Sequence, residues 1–274
     1  MAADEFRFGV CIRDVESPAG LRDTARRYEA LGFDVISIPD HLSAAAPFPT
    51  LTAIAEASAT LRIGTYVLNA GFYKPALLAR DVAALELLSD GRLELGLGAG
   101  YVREEFEAAE LPFPTAGRRV DHLEHLTTYL KDHQPSVSLM IAGDGDRVLT
   151  LGARQADIVG LTGGQGRAGE SDPLAARVAF VRAAAGDRFA DLELNLMISA
   201  APSDSSAKPD LSFPRRHAPD LPEEEVLAFP GVMSGSPRDI ADTLRDYRDR
   251  YEITYITVLA PFADYVAKAI AELR

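Results

Sequence analysis

Residues 93–106 read LELGLGAGYVREEF, an apolar run that opens into glycines at 96, 98 and 100. Just upstream, KPALLARDVAALELLSDG at 74–91 has helical spacing, with Pro75 in its first turn and Gly91 just past its end. A helix, a buried strand and a glycine-marked exit in that order belong to an α/β protein. A dinucleotide fold would need G-x-G-x-x-G early in the chain. Here Tyr101 stands where the last glycine is required, and three strand-like stretches come first. A phosphate loop of the G-K-[ST] kind is also absent. What remains is the C-terminal exit of a barrel strand, where glycines let a ligand approach the backbone.

The same grammar extends in both directions. Upstream, strands are expected at 6–10, 33–41 and 62–70, with helices at 19–32 and 50–61 between them. Leu21, Ala25, Tyr28 and Leu31 recur at helical spacing before Gly32 ends the first helix, and Thr50 is placed to cap the second. Downstream, helical patterns at 118–131, 146–154, 173–185, 237–250 and 262–273 alternate with strand patterns at 136–143, 156–163, 192–200 and 252–259. Eight strands alternating with helices predict a single closed (β/α)8 TIM barrel domain over 1–274. The alternative, an open doubly wound sheet with a small C-terminal domain, would need a boundary that the composition does not show.

A chain of 274 residues with 47% apolar content can bury a full core. Its net charge of −13 argues against a nucleic-acid partner. The single cysteine, Cys11, has no disulfide partner and reads as a buried thiol. No apolar run approaches the roughly 18 residues of a membrane span, and the first residues lack a leader pattern, so a cytoplasmic protein without membrane contact is expected. The rhythm breaks at 201–225, rich in Pro, Ser and charge, which reads as a surface connector or as a lid in which Arg215 and Arg216 meet an anionic ligand. A second irregular loop is expected at 163–172.

In a barrel, strand exits converge on one mouth, so Asp40, His41, Asn69, Asp144 and Thr162 are the polar candidates. His41 is the proton-transfer candidate, with Asp40 beside it in sequence. His122 and His125 share a helix face but lack a third ligand at metal spacing, so no metal site is expected. G-x-S-x-G is missing, and the serine-rich VMSGSP reads as a turn with Ser236 capping a helix.

The stretches EALGFDVISIPDHLS (29–43), the whole of 59–113, LMIAGDGDRVLTLGARQADIVGL (139–161) and VMSGSPRDIADTLRDYRDRYEITYITV (232–258) together resemble the luciferase-like monooxygenase superfamily, and within it the coenzyme F420-dependent oxidoreductases. The resemblance implies a (β/α)8 barrel, often a homodimer, that passes a hydride between deazaflavin F420 and a small-molecule substrate. Relatives that bind FMN and activate oxygen are the alternative, and a degenerate ligand-binding member without redox turnover is a third. It also implies catalytic Asp40 and His41 beside the reacting ring, and a cis peptide between Tyr66 and Val67 behind it. Asn69 would lie near the cofactor head, and Gly98, Ala99, Gly100 and Tyr101 would form its wall. Gly143, Asp144 and Gly145, with Gly160, Leu161 and Thr162, would meet its ribityl and phosphate portion. Glu105 and Arg118 match common family positions. The chain departs from the pattern in three places: the segment before 136 is short, Glu110 replaces a glycine, and 201–225 is short and proline-rich, which shortens loops on the substrate side.

Overall fold

The computed structural model describes residues 5–166 and 171–274. In chain order they form β1 (Arg7–Cys11), α1 (Pro18–Ala30), β2 (Val35–Ile38), α2 (Pro47–Ala57), β3 (Arg62–Thr65), β4 (Leu68–Asn69), α3 (Pro75–Leu88), β5 (Leu93–Gly98), α4 (Arg103–Ala108), α5 (Ala116–His133) and β6 (Ser138–Ala142). The second half adds α6 (Asp146–Gln155), β7 (Ile158–Leu161), α7 (Pro173–Ala185), β8 (Glu193–Ile198), α8 (Ser212–His217), α9 (Glu223–Leu227), α10 (Pro237–Tyr251), β9 (Ile253–Leu259) and α11 (Ala263–Leu273). All strand pairings are parallel. β1 pairs with both β2 and β9, and β5 pairs with β3, β4 and β6, so the sheet closes. Because β3 and β4 both lie on β5, they are one interrupted stave, and the barrel has the eight staves of a (β/α)8 fold.

Alternation along each strand divides the core in two. Phe8, Val10, Ile36, Ile38, Leu93, Leu95 and Leu97 point outward and pack with helix residues such as Leu21, Leu51, Ile54, Leu78 and Val82. Val35, Met140, Ile158 and Tyr255 fill the inside, with Tyr66 and Val67 packed against them. The first residues of β1, β3 and β8, together with Glu94, close the N-terminal end with charge. Arg7 reaches Glu193 at 2.7 Å and also pairs with Glu94, while Arg62 Nε donates to Glu94 at 2.6 Å. Arg7 also lies over the Tyr255 ring, 4.5 Å from its centroid. Pairing is what makes four charges tolerable where water is scarce.

Burial outweighs Arg7 at Glu193 and pushes its carboxyl up to about 7. The folded state therefore binds that proton more tightly than the unfolded chain does. The associated stability is full below the ordinary glutamate range and is lost as pH rises through about 7, by on the order of 2 kcal/mol. Melting temperature should fall between pH 5.5 and 8, and Glu193→Gln should flatten that slope. Identical slopes in both proteins would remove Glu193 as its source.

Several local expectations change in three dimensions. The third strand is not continuous over 62–70: it breaks between Thr65 and Leu68, and the Tyr66–Val67 peptide is cis. Across the break the Thr65 side chain substitutes for ladder bonds, its Oγ1 accepting from Gly96 N at 2.9 Å and donating to Gly96 O at 2.8 Å. Thr50 is not a cap. α2 starts a turn earlier because Pro47 presets the helical φ, and Thr50 is buried inside it. The 201–225 connector holds α8 and the start of α9, anchored by buried Pro214 and Val226 and an Arg215–Glu223 bridge of 2.9 Å. Of the 163–172 loop, Gly163 is tied down by Gly231 N at 2.7 Å, and 167–170 lie outside the described residues. Ser236 does cap α10, in a reciprocal box with Asp239. Glu110 has φ +55, the backbone state that favours glycine at this helix end. Among the described residues, no helix is long and apolar enough to cross a membrane. Cys11 is buried, which pushes its thiol up to about 12.

Candidate active site

The C-terminal ends of the staves form the mouth, and two polar clusters stand there. The first is built by the exits of β2 and β5. His41 Nδ1 lies 3.0 and 3.1 Å from the two oxygens of Glu105, and Leu42 N donates to the same carboxylate at 3.2 Å. Glu105 comes from the first turn of α4, where unpaired backbone N–H groups favour an acid. Its side chain is 14% exposed and that of His41 29%, so the carboxylate is sheltered while the imidazole still meets solvent. A Nδ1–H donated to Glu105 leaves Nε2 as the nitrogen that a ligand can use.

Asp40 is oriented elsewhere. Its Oδ2 accepts from Asn69 N at 3.0 Å, and the Tyr73 hydroxyl lies near the same carboxylate. Burial raises the Asp40 carboxyl above its ordinary range, while Asn69, Tyr73 and nearby His41 pull it back. Burial and the Asp40 charge raise the Tyr73 hydroxyl. His122 Nε2 meets the Tyr73 carbonyl at 3.1 Å, which places that helix histidine in support of this clamp. Among the described residues, no group of His, Cys, Asp and Glu is arranged to hold a metal.

The glycines of 96–100 also answer a packing need inside the barrel. A Cβ on Gly96 would stand 2.2 Å from the Thr65 carbonyl oxygen, one on Gly98 2.8 Å from Val67 Cγ2, and one on Gly100 2.0 Å from Asn69 Oδ1. They make room for the inward bulge of the interrupted stave. Gly100 also has φ +72, and its carbonyl accepts from Arg119 Nε at 2.8 Å. The neighbouring Arg118 is exposed, and its backbone N–H meets the Thr115 hydroxyl at 3.5 Å. Tyr66 points into the barrel, its hydroxyl donating to Asn195 Oδ1 at 2.8 Å, and burial raises that hydroxyl. Val67 fills the space beside Gly96 and Gly98. Asn69 is 6% exposed, with Oδ1 accepting from Gly71 N at 3.0 Å. Ala99 is half-buried, and Tyr101 is 63% exposed with its ring edge-on to His41 at 6.2 Å.

The second cluster is a pocket of about 180 Å³ at the exits of β6 and β7, lined among others by Gly143, Asp144, Leu161, Thr162, Gly163 and Arg177. The Thr162 hydroxyl donates to Asp144, and Gly143 N reaches the Gly160 carbonyl at 3.3 Å. Gly160 sits close to Ala142, where its own Cβ would fall 2.6 Å from that of alanine. Around Gly145, nothing stands within 4 Å of a Cβ position. Arg177, from α7, bridges to Asp146 at 3.0 Å. A cation, two oxygen-bearing side chains and glycine backbone suit a polyol that ends in a phosphoryl group. The donor set therefore fits the tail of a deazaflavin or flavin.

The structure thus joins His41 to Glu105, and Asp144 to Thr162. It gives Asp40 and Asn69 to each other, and points Tyr66 into the barrel onto Asn195. Residue patterning missed Glu105 as the histidine's partner, and it missed Tyr73 and Arg177 altogether. None of the three carries a local signal, since each acts through a chain segment remote in sequence.

A model of the family "Luciferase-like monooxygenase" matches residues 6–130. An F420-dependent glucose-6-phosphate dehydrogenase of Amycolatopsis mediterranei is 30% identical over 136 residues, covering 46% of this chain and 41% of that protein. A Kribbella flavida protein of the same name is 32% identical over 124 residues, covering 42% and 37%. The chain thus spans about two fifths of the length of these curated relatives. An uncharacterised Mycobacterium tuberculosis protein is 30% identical over 210 residues, covering 59% of this chain and 71% of that one. In fold, the chain is similar to an F420-dependent secondary alcohol dehydrogenase solved with an F420–acetone adduct, at TM-score 0.78 and 16% identity over 98% of this chain and 99% of that one.

Proposed function

We propose that this chain, which belongs to the luciferase-like monooxygenase family, transfers a hydride between coenzyme F420 and a small organic substrate. The observation that carries the reading is the His41–Glu105 pair at the barrel mouth, with one imidazole nitrogen held at 3.0 Å by a sheltered carboxylate. F420, when bound, supplies or accepts the hydride at its deazaflavin ring. The residues of the chain handle the rest. Glu105 fixes the ring and tautomer of His41, and His41 Nε2 delivers a proton to the substrate oxygen as a carbonyl is reduced to an alcohol. In the reverse direction the same nitrogen takes that proton. Asp40 holds the Asn69 backbone, which makes it a positioning residue for the wall behind the site. Gly98, Ala99, Gly100 and Tyr101 would flank the ring. Arg177 would meet the phosphoryl group, while Asp144 and Thr162 would meet ribityl hydroxyls, with Gly143, Leu161, Gly163 and Gly164 also lining the tail pocket and Gly145 and Gly160 in the same two strand exits.

Anaerobic titration with F420, its reduced form and FMN tests the reading. Saturable F420 binding, weakened about tenfold by Arg177→Met, is expected. FMN binding with substrate-dependent oxygen uptake would instead make the chain an FMN monooxygenase. Binding of neither, by a folded protein, would leave a ligand-binding role without redox chemistry.

The same reading includes a homodimer. α3 exposes Leu77 at 54%, Leu87 at 78% and Leu88 at 52%. Leu77 and Leu88 are about three turns apart on one face, and a two-fold axis through the middle of the helix would set Leu77 of one copy against Leu88 of the other, so the stripe is self-complementary.

A further inference from the structure

Seven large hydrophobic side chains are exposed among the described residues, and three of them, Val15, Leu42 and Tyr101, lie on loops leaving the C-terminal ends of β1, β2 and β5. Soluble proteins seldom gather exposed apolar groups beside a site without using them. These three loops are tied to one another. Arg13 bonds the Ser43 hydroxyl, Ala45 N donates to the Arg13 carbonyl at 3.1 Å, and Leu42 N reaches Glu105 at 3.2 Å. The ring of Tyr101 stands edge-on to His41, with centroids 6.2 Å apart.

The connector that departed from the family pattern completes the arrangement. His217 of α8 also approaches Tyr101, with centroids 6.2 Å apart at 58°, and Phe213 follows at 5.0 Å from His217. His41, Tyr101, His217 and Phe213 are therefore a continuous run of rings from the proton-transfer residue out to α8. None of these pairs is stacked face to face, and Tyr101 is 63% exposed, which leaves ring surface for a flat partner. The α8 arginine nearest the connector's acids is already bridged, Arg215 to Glu223 at 2.9 Å.

Resting on the reading of His41 above, we infer that Val15, Leu42 and Tyr101, closed by Phe213 and His217, form the substrate's docking wall. The wall selects a carbonyl or conjugated enone compound with an apolar, planar body. A phosphorylated sugar would leave these surfaces uncovered and would need Arg13 and Arg216 to hold its phosphate.

Ligand-observed NMR on the cofactor-free protein tests this with two probes, benzylideneacetone and glucose 6-phosphate. Benzylideneacetone should bind saturably. Tyr101→Ser and Leu42→Asn should each weaken it by about tenfold, while Tyr101→Phe should retain it. Both positions are solvent-exposed, and circular dichroism of each variant confirms folding. Unchanged affinity in the Ser and Asn variants, absence of enone binding, or glucose 6-phosphate binding lost in Arg13→Gln/Arg216→Gln would each overturn the inference. Because no F420 is present, a failed F420 titration strikes the preceding proposal and leaves this result standing.

Discussion

His41→Asn lowers kcat by about 10²–10⁴-fold, the usual worth of a positioned general acid, while F420 affinity stays nearly unchanged. The separation follows from the geometry. His41 belongs to the β2/β5 cluster with Glu105, whereas the tail pocket is formed at the exits of β6 and β7. Glu105→Gln should cause a smaller loss, because an amide oxygen can still accept from the ring N–H and hold the imidazole in place. Asp40→Asn should differ in kind. Asp40 accepts from Asn69 N beside the Tyr73 hydroxyl, so thermal stability should fall along with activity. Stopped-flow reduction of bound cofactor measures the first effect directly. A His41→Asn enzyme with wild-type kcat across pH would sink the proton-transfer role.

Gly96→Ala is expected to destabilise the protein by about 3 kcal/mol or more, or to prevent folding, because the added methyl meets a backbone atom and cannot be relieved by a side-chain rotation. That methyl would lie 2.2 Å from the Thr65 carbonyl oxygen and 2.9 Å from Val67 Cγ1. Gly98→Ala meets only a side chain at close range, Val67 Cγ2 at 2.8 Å. Val67→Ala should therefore rescue Gly98→Ala and fail to rescue Gly96→Ala. Urea midpoints for the four variants decide the matter, and a Gly96→Ala midpoint equal to wild type would show that the strand relaxes around the methyl.

These two sites also show where a one-dimensional reading stops. The alternation of glycines at 96, 98 and 100 was visible, and it correctly marked a barrel-strand exit rather than a nucleotide fingerprint. Its meaning as ligand-accessible backbone was incomplete. The neighbours that require glycine are Thr65, Val67 and Asn69, and the Thr65–Gly96 bond spans 31 positions. His41 was likewise legible as a polar residue at a strand end. Glu105, its partner 64 positions away, had no spacing that linked the two. The connector at 201–225 looked irregular because its short helices, α8 and the start of α9, are held by burial of Pro214 and Val226, which composition does not reveal.

The sequence by itself determined the alternation of strands and helices, and with it the closed barrel and the set of strand ends that share a mouth. That much follows from short-range periodicity, since a strand or helix with one apolar face can be buried in only a few ways. Only the tertiary structure decided which polar groups at the mouth meet. Closure of the sheet, the break between Thr65 and Leu68 and the seating of α4 set Glu105 on His41, Asp40 on Asn69, and Arg177 beside Asp144 and Thr162. Those pairings depend on the stagger of staves and on rotamers chosen by packing, quantities that no local stretch of chain encodes.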